Sequence, residues 1–332
     1  MRPDTQVRPD SHEMMSRRYV FIVGAQRSGT SWLQLLLAQH RSVATTPETH
    51  LFSGYVGQLV RVWEGYKSYR QDIGMTRLLS DDEFYGLCAT FAETVLEKIA
   101  SSHPDATVVL EKTPDHVCHA PLILRLMPEA WFVHIIRDPR SVVSSVAVAA
   151  RSWASDWAST NVLQNALRWR SEVALGRQIG TLTRRYYEVH YEDLLKDGAQ
   201  TLANIFAWLE LPQELAFCQA ALAACRIDRM REGGKHIREY ELLRRTQSGF
   251  LRKGRSDGWK EELSPTAIAT VEYVAGDLMQ KCGYSLSTNR IGSLVKARVA
   301  MQSRLGGVER RINRMVGFAF RRASSLAHPS TL

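Results

Sequence analysis

Cysteine is scarce in this sequence. Five of the 332 residues are cysteines, at widely separated positions: Cys88, Cys118, Cys218, Cys225 and Cys282. None forms a CxxC pair or shows the Cys and His spacing of a metal site. An odd-numbered, scattered set excludes a disulfide-stapled secreted scaffold and is typical of a reducing compartment, so we expect a cytoplasmic protein.

Long apolar runs are also missing. The longest, at residues 19–24 and 130–136, are far too short to cross a bilayer, and the charged first residues lack the apolar core of a signal peptide. Hydrophobic residues make up 45% of the chain and charged residues 23%, which excludes disordered and collagen-like proteins. We expect a soluble globular protein.

Most of the chain has little excess charge of either sign. The net charge is +9, but the segment from residue 290 onward holds nine Lys or Arg residues against one acid, Glu309, and therefore accounts for +8. The first 289 residues carry only about +1. This distribution argues against a nucleic-acid-binding domain, and we expect no nucleic acid partner.

Short apolar runs alternate with helical patterns along the chain. Buried strands are predicted at residues 19–23, 107–110, 131–136 and 186–190. A helix is predicted over residues 81–101, where Ser80 and Glu83 form a capping-box pattern before Phe84, Leu87, Cys88, Phe91, Val95 and Ile99 at helical spacing. This order predicts an α/β fold: a single domain with a central parallel sheet flanked by helices, and ligands at the carboxyl ends of the strands.

We divide the chain into three parts. Residues 1–17 are polar and read as a disordered lead-in, residues 18–289 as the α/β domain, and residues 290–332 as a basic amphipathic tail interrupted at Gly306-Gly307. Two interpretations of the tail stay open. Its helices either pack on the domain with a solvated basic face, or contact an anionic membrane or an acidic acceptor.

A phosphate-binding loop follows the first strand. Residues 24–31, GAQRSGTS, match the P-loop pattern in both glycines and the final Ser31, but Thr30 stands where a P-loop has lysine. The helix that starts here directs free N–H groups at an anion, and Arg27 supplies a cation inside the loop. The third strand likewise ends in Arg137, with Ser145 two helical turns further on, so both can reach one anion.

These segments resemble the PAPS-dependent sulfotransferases, of the bacterial or carbohydrate-directed type. The resemblance implies a P-loop NTPase-like sulfotransferase fold, and it covers residues 19–260. It implies that PAPS is the co-substrate, that the loop binds its 5′-phosphosulfate, and that Arg137 and Ser145 bind its 3′-phosphate. Tyr191, in a YEDL segment, is expected near the adenine. Residues 252–260 resemble the RKG loop that closes over the 3′-phosphate, although Asp257 and Gly258 stand in swapped order. The expected nucleotide-binding residues are Arg27, Ser28, Gly29, Thr30, Ser31, Trp32, Arg137, Ser145, Tyr191, Arg252, Lys253 and Gly254.

Sulfuryl transfer needs a base for the acceptor hydroxyl and cations for the growing negative charge. The PETHLF segment resembles the E-x-H-F-F segment of heparan sulfate sulfotransferases. The resemblance makes Glu48 the base and His50 its support or a substrate contact, with Leu51 in place of the first Phe. The second strand ends in a Lys112-Thr113-Pro114 pattern of the carbohydrate-directed type, which makes Lys112 a cation near the sulfuryl group. His116 is not expected to act as the base.

The expected reaction transfers a sulfuryl group from PAPS to a hydroxyl or amine of a small-molecule or carbohydrate acceptor. No metal-binding pattern is visible, and we expect no metal. Two alternatives stay open: a nucleotide kinase or NTPase with a degenerate P-loop, and a non-catalytic, membrane-associated nucleotide-binding module. Thr30 and the missing Walker-B acid count against the first, and Glu48 with Lys112 counts against the second. Two regions rich in aromatic and polar residues, 52–81 and 151–169, have the character of a sugar or polyketide contact surface. The sequence leaves the acceptor itself and the oligomeric state open.

Overall fold

The computed structural model describes residues 17–69, 73–101, 103–231, 254–288 and 292–305. Its centre is a five-stranded sheet with the spatial order β2-β3-β1-β4-β5. The strands are β1 (Arg18–Val23), β2 (Val43–Thr45), β3 (Val108–Lys112), β4 (Trp131–Ile136) and β5 (Tyr186–His190). Every neighbouring pair is parallel, so the predicted sheet is confirmed, with β2 as an additional edge strand.

Helices connect these strands. They are α1 (Thr30–Leu37), α2 (Gly57–Tyr69), α3 (Asp81–Ala100), α4 (Ala120–Leu126), α5 (Pro139–Ala150), α6 (Val162–Leu182), α7 (Tyr191–Lys196), α8 (Gly198–Trp208), α9 (Leu215–Ala224), α10 (Ile227–Arg231), α11 (Trp259–Glu262), α12 (Pro265–Lys281) and α13 (Ser293–Leu305). A π-helical turn at Leu51–Val56 precedes α2, and 3₁₀ turns lie at Met75–Arg77 and Pro114–His119. Among the described helices, none combines the length and apolar character needed to cross a membrane.

Alternation along β1 explains why both faces of the sheet are covered. Side chains of successive strand residues point to opposite faces. Val20 and Ile22 pack with leucines of α1 and with Ile205 and Phe206 of α8. Phe21 and Val23 pack in a second cluster, together with residues of α3, α4 and the Leu51–Val56 turn. The central strand is therefore buried on both sides, as its continuous apolar sequence predicts.

Helix α3 has the predicted cap. The Ser80 and Glu83 groups bond reciprocally as a capping box, so this prediction is confirmed. Of the apolar residues at helical spacing, Leu87 and Phe91 are 58% and 44% exposed. The buried face instead includes Tyr85, whose hydroxyl donates to Glu64 Oε1 at 2.9 Å, and the small Ala92.

The described part of the tail is helical. Helix α13 ends at Leu305, directly before Gly306-Gly307, and contacts α12 with Val295 buried. Residues 306–332 and the lead-in up to residue 16 lie outside the described residues.

The sheet order places the predicted motifs together. Ile22 of β1 is paired with Lys112 of β3 on one side and with Val133 of β4 on the other. The carboxyl ends of β1, β3 and β4 therefore meet at one end of the sheet. From β1 the chain passes to β2 on one side, and from β3 it crosses to β4 on the other side of β1. Ligands of parallel α/β sheets bind at this end of the sheet.

Candidate active site

The phosphate loop between β1 and α1 depends on two glycines. Gly24 has φ 153°, and a Cβ there would lie 2.4 Å from the Ile135 carbonyl oxygen. Gly29 has φ 101°, and a Cβ there would lie 2.5 Å from the Tyr191 ring. Only glycine fits these close approaches, which bring the loop against β4 and against the start of α7. Arg27 between them adopts a left-handed backbone with φ 70°, so the loop carries local strain of the kind found at binding sites.

Three of the predicted nucleotide residues form a connected group. Arg27 Nε donates to Ser145 Oγ at 3.1 Å. Arg137 Nη1 donates to the Arg27 carbonyl oxygen at 3.2 Å, and its guanidinium carbon lies 4.1 Å from the centre of the Tyr191 ring. The fold thus brings Arg27, Arg137 and Ser145 from separate strand ends to one place, together with the Tyr191 ring.

Buried polar atoms in this group are suited to an anionic ligand. Within the described part of the chain, Arg137 Nε and Ser28 Oγ are both buried without a hydrogen-bond partner. A buried donor without a partner costs about 1–3 kcal/mol. A phosphate oxygen would satisfy such donors, so the residues present fit a phosphorylated nucleotide.

Further lining on the Arg137 side comes from the start of α5, from α10 and from the residues that precede α11. Arg137 Nη2 donates to the Arg255 carbonyl oxygen at 2.9 Å, and Ser141 Oγ donates to the Ser256 carbonyl oxygen at 2.7 Å. The end of the RKG segment therefore lies over the Arg137 side, with Gly254 at φ 63°. Asp257, at the swapped position, is exposed and pairs with Arg255. Arg252 and Lys253 lie outside the described residues.

A second group of predicted site residues, Glu48, Lys112 and His50, is joined by contacts to the Glu48 carboxylate. Lys112 Nζ forms an ion pair with Glu48 Oε1, and His50 Nε2 lies 3.6 Å from Glu48 Oε2. The Lys112 side chain is 5% exposed and that of Glu48 is 36% exposed. Lys112 therefore supports the carboxylate from the protein interior, while the carboxylate itself stays accessible.

The sequence did not single out the anchor of this segment. Glu111 Oε1 accepts hydrogen bonds from Thr49 N at 3.3 Å, Thr49 Oγ1 at 2.8 Å and Thr113 Oγ1 at 2.7 Å. Its Oε2 lies 2.7 Å from His116 Nδ1, and His116 Nε2 accepts from Phe52 N at 3.2 Å. The segment that carries Glu48 and His50 is thus fixed to the end of β3.

The protonation states in this anchor follow from its contacts. Burial by itself raises the pKa of Glu111, but attraction to His116 and the hydrogen bonds from His116, Thr113 and Thr49 outweigh it and lower the pKa to about 2. Since His116 Nε2 accepts from a backbone N–H, its ring proton is on Nδ1, facing the carboxylate. His116 is fully buried and cannot reach a substrate. An acidic residue inside a buried strand was the available signal, because a buried charge needs partners.

One cavity of about 480 Å³ joins these groups. Its lining includes most of the predicted site residues: Arg27, Gly29, Thr30, Ser31, Trp32, Glu48, His50, Arg137, Ser145, Tyr191 and Gly254. Ser28 and Lys112 lie behind this surface. Among the further lining residues, the sequence indicated no site role for Gln26, Asp115 and Trp259. The lining also includes Trp153, Asp156 and Trp157, which lie in the region 151–169 that has the character of an acceptor surface.

Comparisons with a family model and with known proteins both point to sulfotransferases. The model of the sulfotransferase family matches residues 19–214. A putative protein-tyrosine sulfotransferase of Caenorhabditis briggsae is 24% identical over 195 residues, covering 58% of this chain and 65% of that protein. A protein-tyrosine sulfotransferase of Drosophila melanogaster is 24% identical over 200 residues, covering 58% of this chain and 38% of that protein. The chain thus spans less than two thirds of these relatives.

Solved structures share the fold. The sulfotransferase domain of the Synechococcus PCC 7002 olefin synthase superposes with a TM-score of 0.55 at 17% identity, covering 85% of this chain and 100% of that one. A mouse sulfotransferase complexed with PAP superposes with a TM-score of 0.51 at 14% identity, covering 79% of this chain and 85% of that one. Because the family model matches more than half of its length, the chain belongs to the sulfotransferase family.

Proposed function

We propose that this protein transfers a sulfuryl group from PAPS to a hydroxyl or amine of a small-molecule or carbohydrate acceptor, with Glu48 as the base. The observation that carries the proposal is the pairing of the accessible Glu48 carboxylate with the buried Lys112 ammonium, on the same cavity as the phosphate loop. The mouse sulfotransferase of the same fold is complexed with PAP, adenosine 3′,5′-bisphosphate, which supports the choice of nucleotide.

The nucleotide is held by residues from three strand ends. The N–H groups at the start of α1 and the Arg27 guanidinium face the 5′-phosphosulfate, while Arg137 and Ser145 take the 3′-phosphate. Arg137 Nε and Ser28 Oγ, which have no partner among the described residues, are suited to these oxygens. When bound, PAPS supplies the activated sulfuryl group and the leaving 3′,5′-bisphosphate.

Glu48 accepts the proton of the acceptor. Its carboxylate is the exposed member of the ion pair, and Lys112 holds one oxygen so that the other faces the cavity. His50, 3.6 Å from that second oxygen, orients the carboxylate or the acceptor. Arg27 lies across the cavity, where its positive charge stabilises negative charge on the transferred group.

The remaining cellular context is part of the proposal. All five cysteines are free thiols and four are buried, which supports a reducing, cytoplasmic location. We propose that no metal takes part. We further propose that the tail either packs on the domain, as α13 does on α12, or makes peripheral contact with an anionic membrane or an acidic acceptor.

The decisive experiment compares nucleotides and one substitution. PAP without metal should raise the Tm, whereas Mg-ATP should have little effect. Equal stabilisation by Mg-ATP, abolished by chelation, would contradict the proposal in favour of a kinase. Glu48→Gln should lower transfer from radiolabelled PAPS about 10²–10⁴-fold with PAP affinity within a few-fold of the original. The matched control is Glu93→Gln, an exposed carboxylate on α3 outside the cavity lining, which should leave transfer unchanged.

A further inference from the structure

Part of the cavity lining consists of residues outside the predicted nucleotide set. Trp153, Asp156 and Trp157 belong to this part, in the turn that follows α5. We propose that these three residues, here called the indole subsite, bind the acceptor, and that the acceptor is a neutral or cationic ring-bearing alcohol. The inference rests on the proposed sulfuryl transfer and names the chemical class of its acceptor.

The two indoles form one aromatic corner beside the reacting groups. Their ring centres are 5.7 Å apart at an interplanar angle of 63°, and both side chains are half-buried. The Trp153 ring centre lies 5.5 Å from the guanidinium carbon of Arg27. A flat ring held by this corner therefore lies next to the cation that faces the sulfuryl group. Aromatic contacts of this kind contribute beyond their buried area, which favours a ring over a flexible chain.

The lining around Glu48 determines where the acceptor is deprotonated. It includes His50, Pro114 and Asp115, here called the Glu48 wall. His50 N is held by Thr113 Oγ1 at 3.2 Å, and Asp115 Oδ1 accepts from Gln26 Nε2 at 3.3 Å. A ring that spans from the indoles to this wall presents one hydroxyl to Glu48.

The charged residues of the indole subsite and of the Glu48 wall favour a neutral or cationic acceptor over an anionic one. Asp115 is paired with Arg168 at 3.2 Å, and Glu48 is paired with Lys112. Asp156 is exposed and has no ion-pair partner within the described ranges. Since Arg27 and Arg137 are occupied by phosphates once the nucleotide binds, the acceptor meets an excess of negative charge. A second hydroxyl or an ammonium on the acceptor can donate to Asp156, whereas a carboxylate, phosphate or sulfate there is repelled.

The test uses three phenols that share one ring and differ in charge: tyramine, 2-(4-hydroxyphenyl)ethanol and 4-hydroxyphenylacetate. The contact of a donor with the Asp156 carboxylate should give tyramine a kcat/KM about ten- to a hundredfold above that of 4-hydroxyphenylacetate. The neutral phenol should fall between them. Asp156→Asn should reduce this spread to a few-fold, and Trp157→Leu should lower kcat/KM for all three with PAP affinity unchanged. Asp82→Asn, at an exposed position on α3, is the matched control and should preserve the spread.

Binding to the PAP-loaded protein provides a second readout. Tyramine should quench tryptophan fluorescence at millimolar concentration, with the signal lost in a Trp153→Phe, Trp157→Phe double variant. Transfer with no charge preference among the phenols would refute the indole subsite and leave the sulfuryl transfer standing. Absence of phenol binding by a protein that does bind PAP would also refute it. Failure to bind PAP at all would instead refute the proposed function.

Discussion

Glu111→Gln should separate the positioning of Glu48 from nucleotide binding. Donors surround both Glu111 oxygens: Thr49 and Thr113 contact Oε1, and the Nδ1 proton of His116 faces Oε2. Glutamine keeps one acceptor but turns its NH₂ group toward another donor. His116 cannot relieve this conflict by moving its proton to Nε2, because that atom accepts from Phe52 N. The substitution therefore leaves donors facing each other in a buried place.

The stability loss can be worked from the pKa of the carboxyl. The Glu111 pKa falls from its ordinary 4.5 to about 2. At about 1.4 kcal/mol for each pKa unit, the folded state gains on the order of 3 kcal/mol at neutral pH from the ionised form. Gln retains part of this through its remaining acceptor, so we expect a loss of about 2–3 kcal/mol and, for a chain of this length, a Tm lower by about 3–4 °C.

The pH dependence has a definite sign. Because the folded-state pKa lies below the ordinary value, the stabilisation by Glu111 is fully present above pH 4.5 and is lost as the pH falls from 4.5 toward 2. The Tm difference between the original protein and Glu111→Gln should therefore be largest near neutral pH and shrink through this acidic window. Thermal unfolding followed by circular dichroism measures it.

The catalytic effect should be confined to turnover. Thr49, the residue held by Glu111, lies directly between Glu48 and His50, so a loosened segment misplaces the base, which we expect to lower kcat about 10–100-fold. PAP affinity should stay unchanged, since the hydrogen bonds that join Arg27, Arg137 and Ser145 to one another do not involve Glu111. Glu64→Gln is the matched control: Glu64 is also buried and accepts from Tyr85, outside the cavity lining, so it should cost stability with kcat retained. If the Glu111→Gln variant has the same kcat and Tm as the original protein, this account of Glu111 is wrong.

Three further predictions follow from other contacts. Arg137→Ala should raise the Kd for PAP about ten- to a hundredfold and that for 5′-AMP far less, by calorimetry; equal weakening would show that Arg137 supports the fold alone. Gly29→Ala should lower both the Tm and PAP affinity, because its Cβ would lie 2.5 Å from the Tyr191 ring, whereas Gly283→Ala has a similar positive φ in open space and should spare PAP affinity. Burial raises the pKa of all five thiols, so a thiol reagent at pH 8 should label the folded protein slowly and all five cysteines in denaturant; rapid labelling of the folded form would contradict this.

The four strands that sequence reasoning predicted are the longer ones, of five or six residues each. Residues 131–136 and 186–190 were predicted with the bounds of β4 and β5, and β1 differs by one residue. Such strands have continuous apolar or β-branched runs that are visible without any partner. Strand β2 has three residues, Val43–Thr45, and exists through its pairing with β3. A run of three residues has no periodicity of its own, so the sequence could not predict it.

Residues of the candidate site were predictable where they lie in local patterns. The phosphate loop and the Arg137–Ser145 spacing occupy short continuous segments, and the structure brings their side chains together. Trp153 and Trp157 follow no such pattern, because their place on the cavity depends on how the chain turns after α5. Their distance from Glu48 along the sequence exceeds 100 residues, and only the packing of the sheet closes it.

Glu111 shows how a sequence can point to such long-range contacts without a family pattern. An acid in a strand of otherwise buried residues must be ionised among donors or neutralised, since an unpartnered buried charge is too costly. Its strand neighbours, Leu110 and Lys112, are also buried, so the donors had to come from a loop folded onto the strand end. The hydroxyl-rich segment with Thr49 is the one that follows α1 and β2 to that edge, and it bears Glu48. The Thr49 donors that satisfy the buried Glu111 carboxylate therefore also hold the segment with the accessible base, Glu48, against the sheet.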